Sequence, residues 1–107
     1  EIEHIYARNR FEKEHSLTNK DIVESLGNKA ILEKRINIRA SDYRFEDKKK
    51  YYNGYNTARG PKEGTKIHEL TSLATKQNDF NEADINTRYS QILESFIDYL
   101  KFNDLIK

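Results

Sequence analysis

The chain has 107 residues, of which 36% are hydrophobic and 35% charged, which suits one domain with a small core. Its 19 basic and 18 acidic residues give a net charge of +1, so bulk charge does not indicate a polyanionic partner. The absence of cysteine excludes disulfide scaffolds and cysteine-based zinc sites. No apolar run approaches the roughly 20 residues of a membrane span. We therefore expect a cytoplasmic domain without a membrane partner.

The first half of the sequence predicts two strands with a short helix between them. Residues 1–6 alternate apolar and polar side chains, which is typical of a strand. Thr18 followed by Asp21 resembles a capping box and predicts a helix over about residues 18–26. The apolar residues within 29–38 indicate a second strand that ends in a turn.

A helix followed by a loop is predicted next. Ser41 or Asp42 can cap this helix, and Gly54 can end it. The segment 55–64 contains the only proline of the chain. It is therefore predicted to be a loop.

Two helices are predicted in the last third of the chain. The first begins at Thr65, and the second is longer and is capped by Asn81. An apolar stripe along the longer helix has spacings of four, three, four and four residues and is predicted to be core. Its members are Ile85, Tyr89, Ile92, Phe96 and Leu100.

Five polar residues of the first half stand in an order that singles them out. Glu3 and His4 end the first predicted strand, Asn28 precedes the second, and Asn37 stands nine residues after Asn28. Lys48 lies on the helix predicted after them. These five residues, taken in this order, are the candidate site.

The chain resembles an HNH nuclease, also called a ββα-metal finger, in the ordered segments EHI, LGNKAILEKRIN and FEDKKKYY. More specifically, these segments resemble the nuclease domain at the C-terminus of GmrSD-type modification-dependent restriction proteins. The stretch NKAILEKRIN is also similar to the HNH segment of RNA-guided CRISPR effectors. The GmrSD-type helical tail is similar to the later segment HELTSLATKQNDFNEADINTRYSQIL, so the resemblance covers nearly the whole chain.

The fold that this resemblance implies is α+β, as one HNH-like domain over residues 1–107. Residues 1–54 would form the ββα-metal core, with the short helix between its two strands. Residues 55–64 would be the loop, and residues 65–107 a two-helix extension. The chain begins at Glu1 and contains no methionine, so we expect it to be part of a longer protein.

The resemblance also implies a role for each candidate residue. His4 would be the general base, and Glu3 and Asn37 would hold one divalent cation. Oxygen ligands of this kind suit Mg²⁺ or Mn²⁺. Asn28 would hold the loop that orients His4, and Lys48 would contact the scissile phosphate or its neighbour.

The function expected from these roles is metal-dependent cleavage of DNA within an anti-phage restriction protein. An upstream domain of the longer protein would select the DNA, and a homodimer would allow both strands to be cut. The alternative is a catalytically degenerate HNH-like or helical module that binds DNA or a partner protein.

Overall fold

The computed structural model describes residues 1–105, which form five α-helices and two small antiparallel sheets. This confirms the α+β class. The elements are β1 (Ile2–His4), α1 (Arg8–Glu14), β2 (Lys29–Ile31), α2 (Lys34–Ala40), α3 (Phe45–Asn53), β3 (Gly54–Thr57), β4 (Gly60–Glu63), α4 (His68–Lys76) and α5 (Glu82–Phe102). Within the described range, no helix combines the length and apolar character that crossing a bilayer requires. Residues 106–107, the end of the predicted extension, lie outside the described residues.

The strands β1 and β2 pair antiparallel, so that Glu3 stands opposite Ala30 and His4 opposite Lys29. Successive side chains of a strand point to opposite faces. Glu3 and Ala30 are accordingly buried, whereas His4 is only partly buried. The strand predicted for residues 1–6 is therefore confirmed, and it directs its acidic residue into the protein.

The prediction of a single helix over about residues 18–26 is wrong. The chain forms two 3₁₀ helices, Lys20–Glu24 and Leu26–Asn28, which are separated by extended backbone at Ser25. Thr18 does not cap a helix, because its amide and hydroxyl both donate to the Glu82 carboxylate. Helix α1 was not predicted, because its sequence lacks a clear apolar period.

The second strand is shorter than predicted, and a helix follows it. Strand β2 ends at Ile31, and α2 begins at Lys34. Ile36 and Ala40 are both buried at the spacing of one helical turn. This helical period places Asn37 on α2 rather than in a turn after a strand.

Helix α3 is confirmed, but the elements on either side of it differ from the prediction. Arg44, and neither Ser41 nor Asp42, occupies its N-cap, while Gly54 follows its end with φ of 87°. The segment predicted as a loop over 55–64 is largely the hairpin β3–β4. Its tight turn reaches Gly60, where φ is 118° and glycine is the residue best suited.

The two predicted C-terminal helices are confirmed as α4 and α5. Helix α4 begins at His68 rather than Thr65. Asn81 caps α5 in a capping box with Asp84.

The apolar stripe on α5 is core only at its start. Ile85 is fully buried, whereas Tyr89 is 40% exposed and Phe96 57% exposed. The first turns of α5 pack on the 3₁₀ helix Leu26–Asn28, and the rest of α5 extends beyond the core. The prediction of a buried stripe is therefore wrong beyond the first turns.

Candidate active site

A polar pocket lies at the end of β1, beside α2 and α3. It is lined by four of the five candidate residues, namely Glu3, His4, Asn37 and Lys48. The fifth, Asn28, does not line it. Residues far apart in the chain meet here because β1 pairs with β2 and the two following helices pack against them.

Glu3, which is 2% exposed as a whole residue, forms the buried wall of this pocket. Its Oε2 accepts a hydrogen bond of 2.6 Å from the Tyr52 hydroxyl and lies 3.1 Å from Lys48 Nζ. Burial and the nearby Glu3 charge raise the pKa of Tyr52 well above its ordinary value. Tyr52 therefore remains a hydrogen-bond donor to Glu3 at ordinary pH. Lys48 and Tyr52 stand one helical turn apart, so the sequence places them on one face of α3, but nothing local indicates Glu3 as their shared partner.

Lys48 is buried with Glu3 rather than exposed to solvent. Its ammonium group also donates a hydrogen bond of 2.8 Å to the His4 carbonyl oxygen. Burial lowers the pKa of Lys48 from its ordinary value, while the Glu3 charge opposes that change. The phosphate contact expected of Lys48 stays a prediction, and a side chain that is 1% exposed weighs against it.

Asn37 reaches the same carboxylate from α2. Its Nδ2 lies 3.4 Å from Glu3 Oε1 and 3.4 Å from the Ile2 carbonyl oxygen. Rotation of the amide by half a turn would direct its oxygen toward Glu3 instead. In the structure Asn37 thus directs a donor at Glu3, and only the rotated amide would place its oxygen beside Glu3 Oε1.

The two oxygens that this rotation would bring together are of the type that a hard divalent cation prefers. Residues 1–105 contain no group of three or more histidine and acidic side chains that could hold a metal. A cation held by Glu3 and Asn37 would therefore take its other ligands from water and substrate. Mg²⁺ typically keeps several waters and takes one or two protein ligands together with phosphate oxygens. Lys48 and Tyr52 engage Glu3 Oε2, whereas Oε1 has only the longer contact of 3.4 Å with Asn37 Nδ2, so Oε1 is the oxygen that a cation would take.

His4 lies at the rim of the pocket, where its ring contacts a carboxylate that the sequence did not indicate. His4 Nε2 is 3.3 Å from Glu24 Oε2. Arg8 also lines the pocket, is largely exposed, and binds Glu24 Oε1 through Nε at 2.7 Å. Sequence reasoning missed Arg8 and Glu24, because no local pattern connects Glu24 with Arg8, 16 positions away, or with His4, 20 positions away.

Asn28 stands behind the pocket and joins two segments of the chain. Its Nδ2 donates hydrogen bonds of 2.9 Å to the carbonyl oxygens of Tyr6 and Val23. Its Oδ1 accepts a hydrogen bond of 2.6 Å from the Tyr6 amide. Asn28 is fully buried and holds the segment that leaves β1 just after His4. Its influence on His4 stays a prediction.

The fold and the pocket define a small α+β domain that gathers a carboxylate, an imidazole and an amide at one strand end. Over residues 1–95 the sequence matches the family of GmrSD restriction endonucleases, C-terminal domain. The chain therefore belongs to this family, and the GmrSD-type resemblance noted in the sequence is confirmed. A restriction endonuclease-related module is the class of protein that this membership indicates. Comparison with curated proteins gave no match, and neither did comparison with solved structures.

Proposed function

We propose that the domain is an HNH-type endonuclease module that hydrolyses phosphodiester bonds of DNA with one divalent cation. The observation that carries this proposal is the meeting of Glu3, His4 and Asn37 in one pocket at the end of β1. Membership of a restriction endonuclease family supports the reaction class. In this proposal the ββα-metal core is residues 1–54, in which β1 and β2 are followed by α2, which carries Asn37, and by α3, which carries Lys48.

Each residue of the pocket has a role in this proposal. His4 accepts a proton from the attacking water, as general bases in hydrolases do. Glu3 and Asn37 would hold Mg²⁺ or Mn²⁺, which, when bound, offsets negative charge on the phosphate. Asn28 fixes the chain behind His4, and Lys48 holds Glu3 and the His4 carbonyl in place.

Arg8 is the better candidate for the phosphate contact first expected of Lys48. Its side chain is 65% exposed and lines the pocket. A guanidinium group offers five N–H donors, and Nε alone is used by Glu24. Arg8 can therefore contact a phosphate oxygen without giving up its partner.

The wider setting is part of the same proposal. The domain would supply the cleaving activity of a cytoplasmic anti-phage restriction protein. An upstream domain of that protein would select the DNA, and pairing of two copies would allow cuts in both strands. Phosphate contacts of the kind proposed for Arg8 give affinity without reading sequence.

A second function is favoured by one specific observation. The Glu3 carboxylate already has three donors, Lys48, Tyr52 and Asn37, of which Lys48 is cationic. A carboxylate neutralised in this way attracts a metal less strongly. The alternative is therefore a catalytically degenerate module that binds DNA or a partner protein.

Cleavage of supercoiled plasmid separates the two functions. Cleavage should require Mg²⁺ or Mn²⁺ and stop in EDTA, and Asn37→Ala should raise the Mg²⁺ concentration needed. His4→Ala should lower the rate by about 100-fold or more, whereas His68→Ala, at an exposed site on α4, should not. A wild-type chain that binds the plasmid but never cleaves it with either metal would support the alternative.

A further inference from the structure

Glu24, at the end of the first 3₁₀ helix, binds three nitrogen groups at once. Its Oε1 lies 2.7 Å from Arg8 Nε, and its Oε2 lies 3.2 Å from Lys29 Nζ and 3.3 Å from His4 Nε2. Nothing in the proposed function gives this carboxylate a role. Its contact with the ring of the proposed general base is the feature to explain.

The position of Glu24 is fixed from two sides. Lys29 stands directly opposite His4 in the β1–β2 ladder, so both side chains leave the same face of the sheet. Arg8 approaches from the start of α1 and binds the other carboxylate oxygen. Two cations thus hold the carboxylate against His4, and its orientation does not depend on the histidine alone.

The chemistry of this contact determines which ring nitrogen carries hydrogen. The hydrogen bond from Arg8 lowers the pKa of Glu24 most, and His4 and Lys29 contribute, so that it falls to about 2 from the ordinary 4.5. An ionised carboxylate accepts hydrogen bonds and cannot donate them. His4 Nε2 must therefore be the donor, and a neutral imidazole that carries hydrogen on Nε2 has its lone pair on Nδ1.

We propose that Glu24 is a positioning residue that holds neutral His4 in the Nε2–H tautomer and leaves Nδ1 as the proton-accepting atom. The catalytic part of this inference rests on the proposed function. In that reaction an O–H bond of water breaks and its proton moves to Nδ1. The hydroxide oxygen bonds to phosphorus while the bond to the leaving oxygen breaks, and the leaving oxygen is protonated by solvent.

The tautomer can be measured without any assay of activity. Long-range ¹H–¹⁵N NMR spectra of histidine rings, recorded where the rings are neutral, distinguish Nε2–H from Nδ1–H. We expect His4 to be Nε2–H in the wild-type protein and a mixture of tautomers in Glu24→Gln, since an amide can donate as well as accept. Glu12→Gln, at an exposed carboxylate on α1, is the matched control and should leave His4 unchanged.

Kinetics then test the consequence for catalysis. Glu24→Gln should lower kcat for DNA cleavage by about 10-fold or more with KM unchanged. The same substitution should have no further effect in the His4→Ala background, because residues that act as a unit are not additive. If Glu24→Gln lowers kcat further in the His4→Ala protein, Glu24 acts through Arg8 and not through His4, and the role proposed for Glu24 is overturned.

The two proposals fail in different ways. A wild-type His4 in the Nδ1–H form, or a tautomer that Glu24→Gln leaves unchanged, overturns the role of Glu24 whatever the protein cleaves. A chain that shows the expected tautomers but cleaves no DNA overturns the proposed function and supports the placement of the ring by Glu24.

Discussion

The ammonium nitrogen of Lys48 lies 3.1 Å from Glu3 Oε2, and the two side chains are 1% and 3% exposed. Attraction within a buried ion pair offsets the loss of hydration only when further hydrogen bonds satisfy both groups. Tyr52 donates to Glu3, and the His4 carbonyl accepts from Lys48. The pair therefore connects α3 to β1 and to the base of the pocket, and either partner alone would be an uncompensated charge.

Lys48→Met should destabilise the domain, because it removes the cation and leaves the Glu3 carboxylate buried. Loss of one partner from a buried pair costs about 3–5 kcal/mol in free energy of unfolding. Urea denaturation followed by circular dichroism measures this change. Lys50→Met, at an exposed position on the same helix, is the matched control and should change the free energy by less than about 0.5 kcal/mol.

A double variant checks the cause of that loss. Glu3→Gln removes the charge that Lys48→Met leaves behind, so the two together should be more stable than Lys48→Met alone. If Lys48 instead contacts a phosphate, Lys48→Met would keep the stability of the wild-type protein. It would lower the slope of log DNA affinity against log salt by about one.

The sequence predicted those features that depend on neighbouring residues. Asn81 caps α5 as predicted, because a cap residue acts within the first turn of its own helix. The alternation at residues 1–6 predicted β1 because a strand sorts its own side chains between two faces. Four of the five candidate residues meet in one pocket, and their order along the chain, recognised through a family resemblance, was sufficient to select them.

Features that depend on distant contacts could not be predicted in this way. Lys48 is the first of three consecutive lysines, and its burial follows from the position of Glu3 on another element. Glu24 contacts His4 only because the 3₁₀ helices fold back beside β1. The exposed half of α5 has the apolar period of a core helix, and nothing local distinguishes an amphipathic helix that is covered from one that is not.

Asn28→Ala should destabilise the domain and loosen the chain after β1. The variant removes three hydrogen bonds and leaves the Tyr6 amide and the carbonyl oxygens of Tyr6 and Val23 without their partner. Because these buried polar groups lose their hydrogen bonds, we expect the free energy of unfolding to fall by roughly 2–4 kcal/mol. Hydrogen exchange at the Tyr6 amide measures the local effect. Asn56→Ala, on the exposed hairpin, should leave that exchange rate unchanged.

Gly27→Ala should weaken the contact between α5 and the second 3₁₀ helix. A Cβ atom at Gly27 would lie 2.0 Å from the Ile85 carbonyl oxygen, which belongs to the α5 backbone and cannot move aside alone. Overpacking of this kind lowers the free energy of unfolding by about 1–3 kcal/mol or more. The thermal midpoint should fall, whereas Ser90→Ala on the exposed side of α5 should hardly change it. Unchanged stability of Gly27→Ala would contradict the close approach of the two backbones.

The pH dependence of stability should contain a contribution from Glu24. Its pKa is about 2 in the folded protein against an ordinary 4.5, so between these values the unfolded chain binds more protons. The contribution of Glu24 to the free energy of unfolding is therefore complete above pH 4.5 and is lost as pH falls toward 2.

Urea denaturation from pH 2 to 6 measures this contribution. Glu24→Gln should be less stable than the wild-type protein at pH 6, and the difference should shrink toward pH 2. Because the carboxylate is 44% exposed, added salt should reduce that difference. Parallel stability curves for the two proteins across this range would show that Arg8, Lys29 and His4 do not hold Glu24 as the structure indicates.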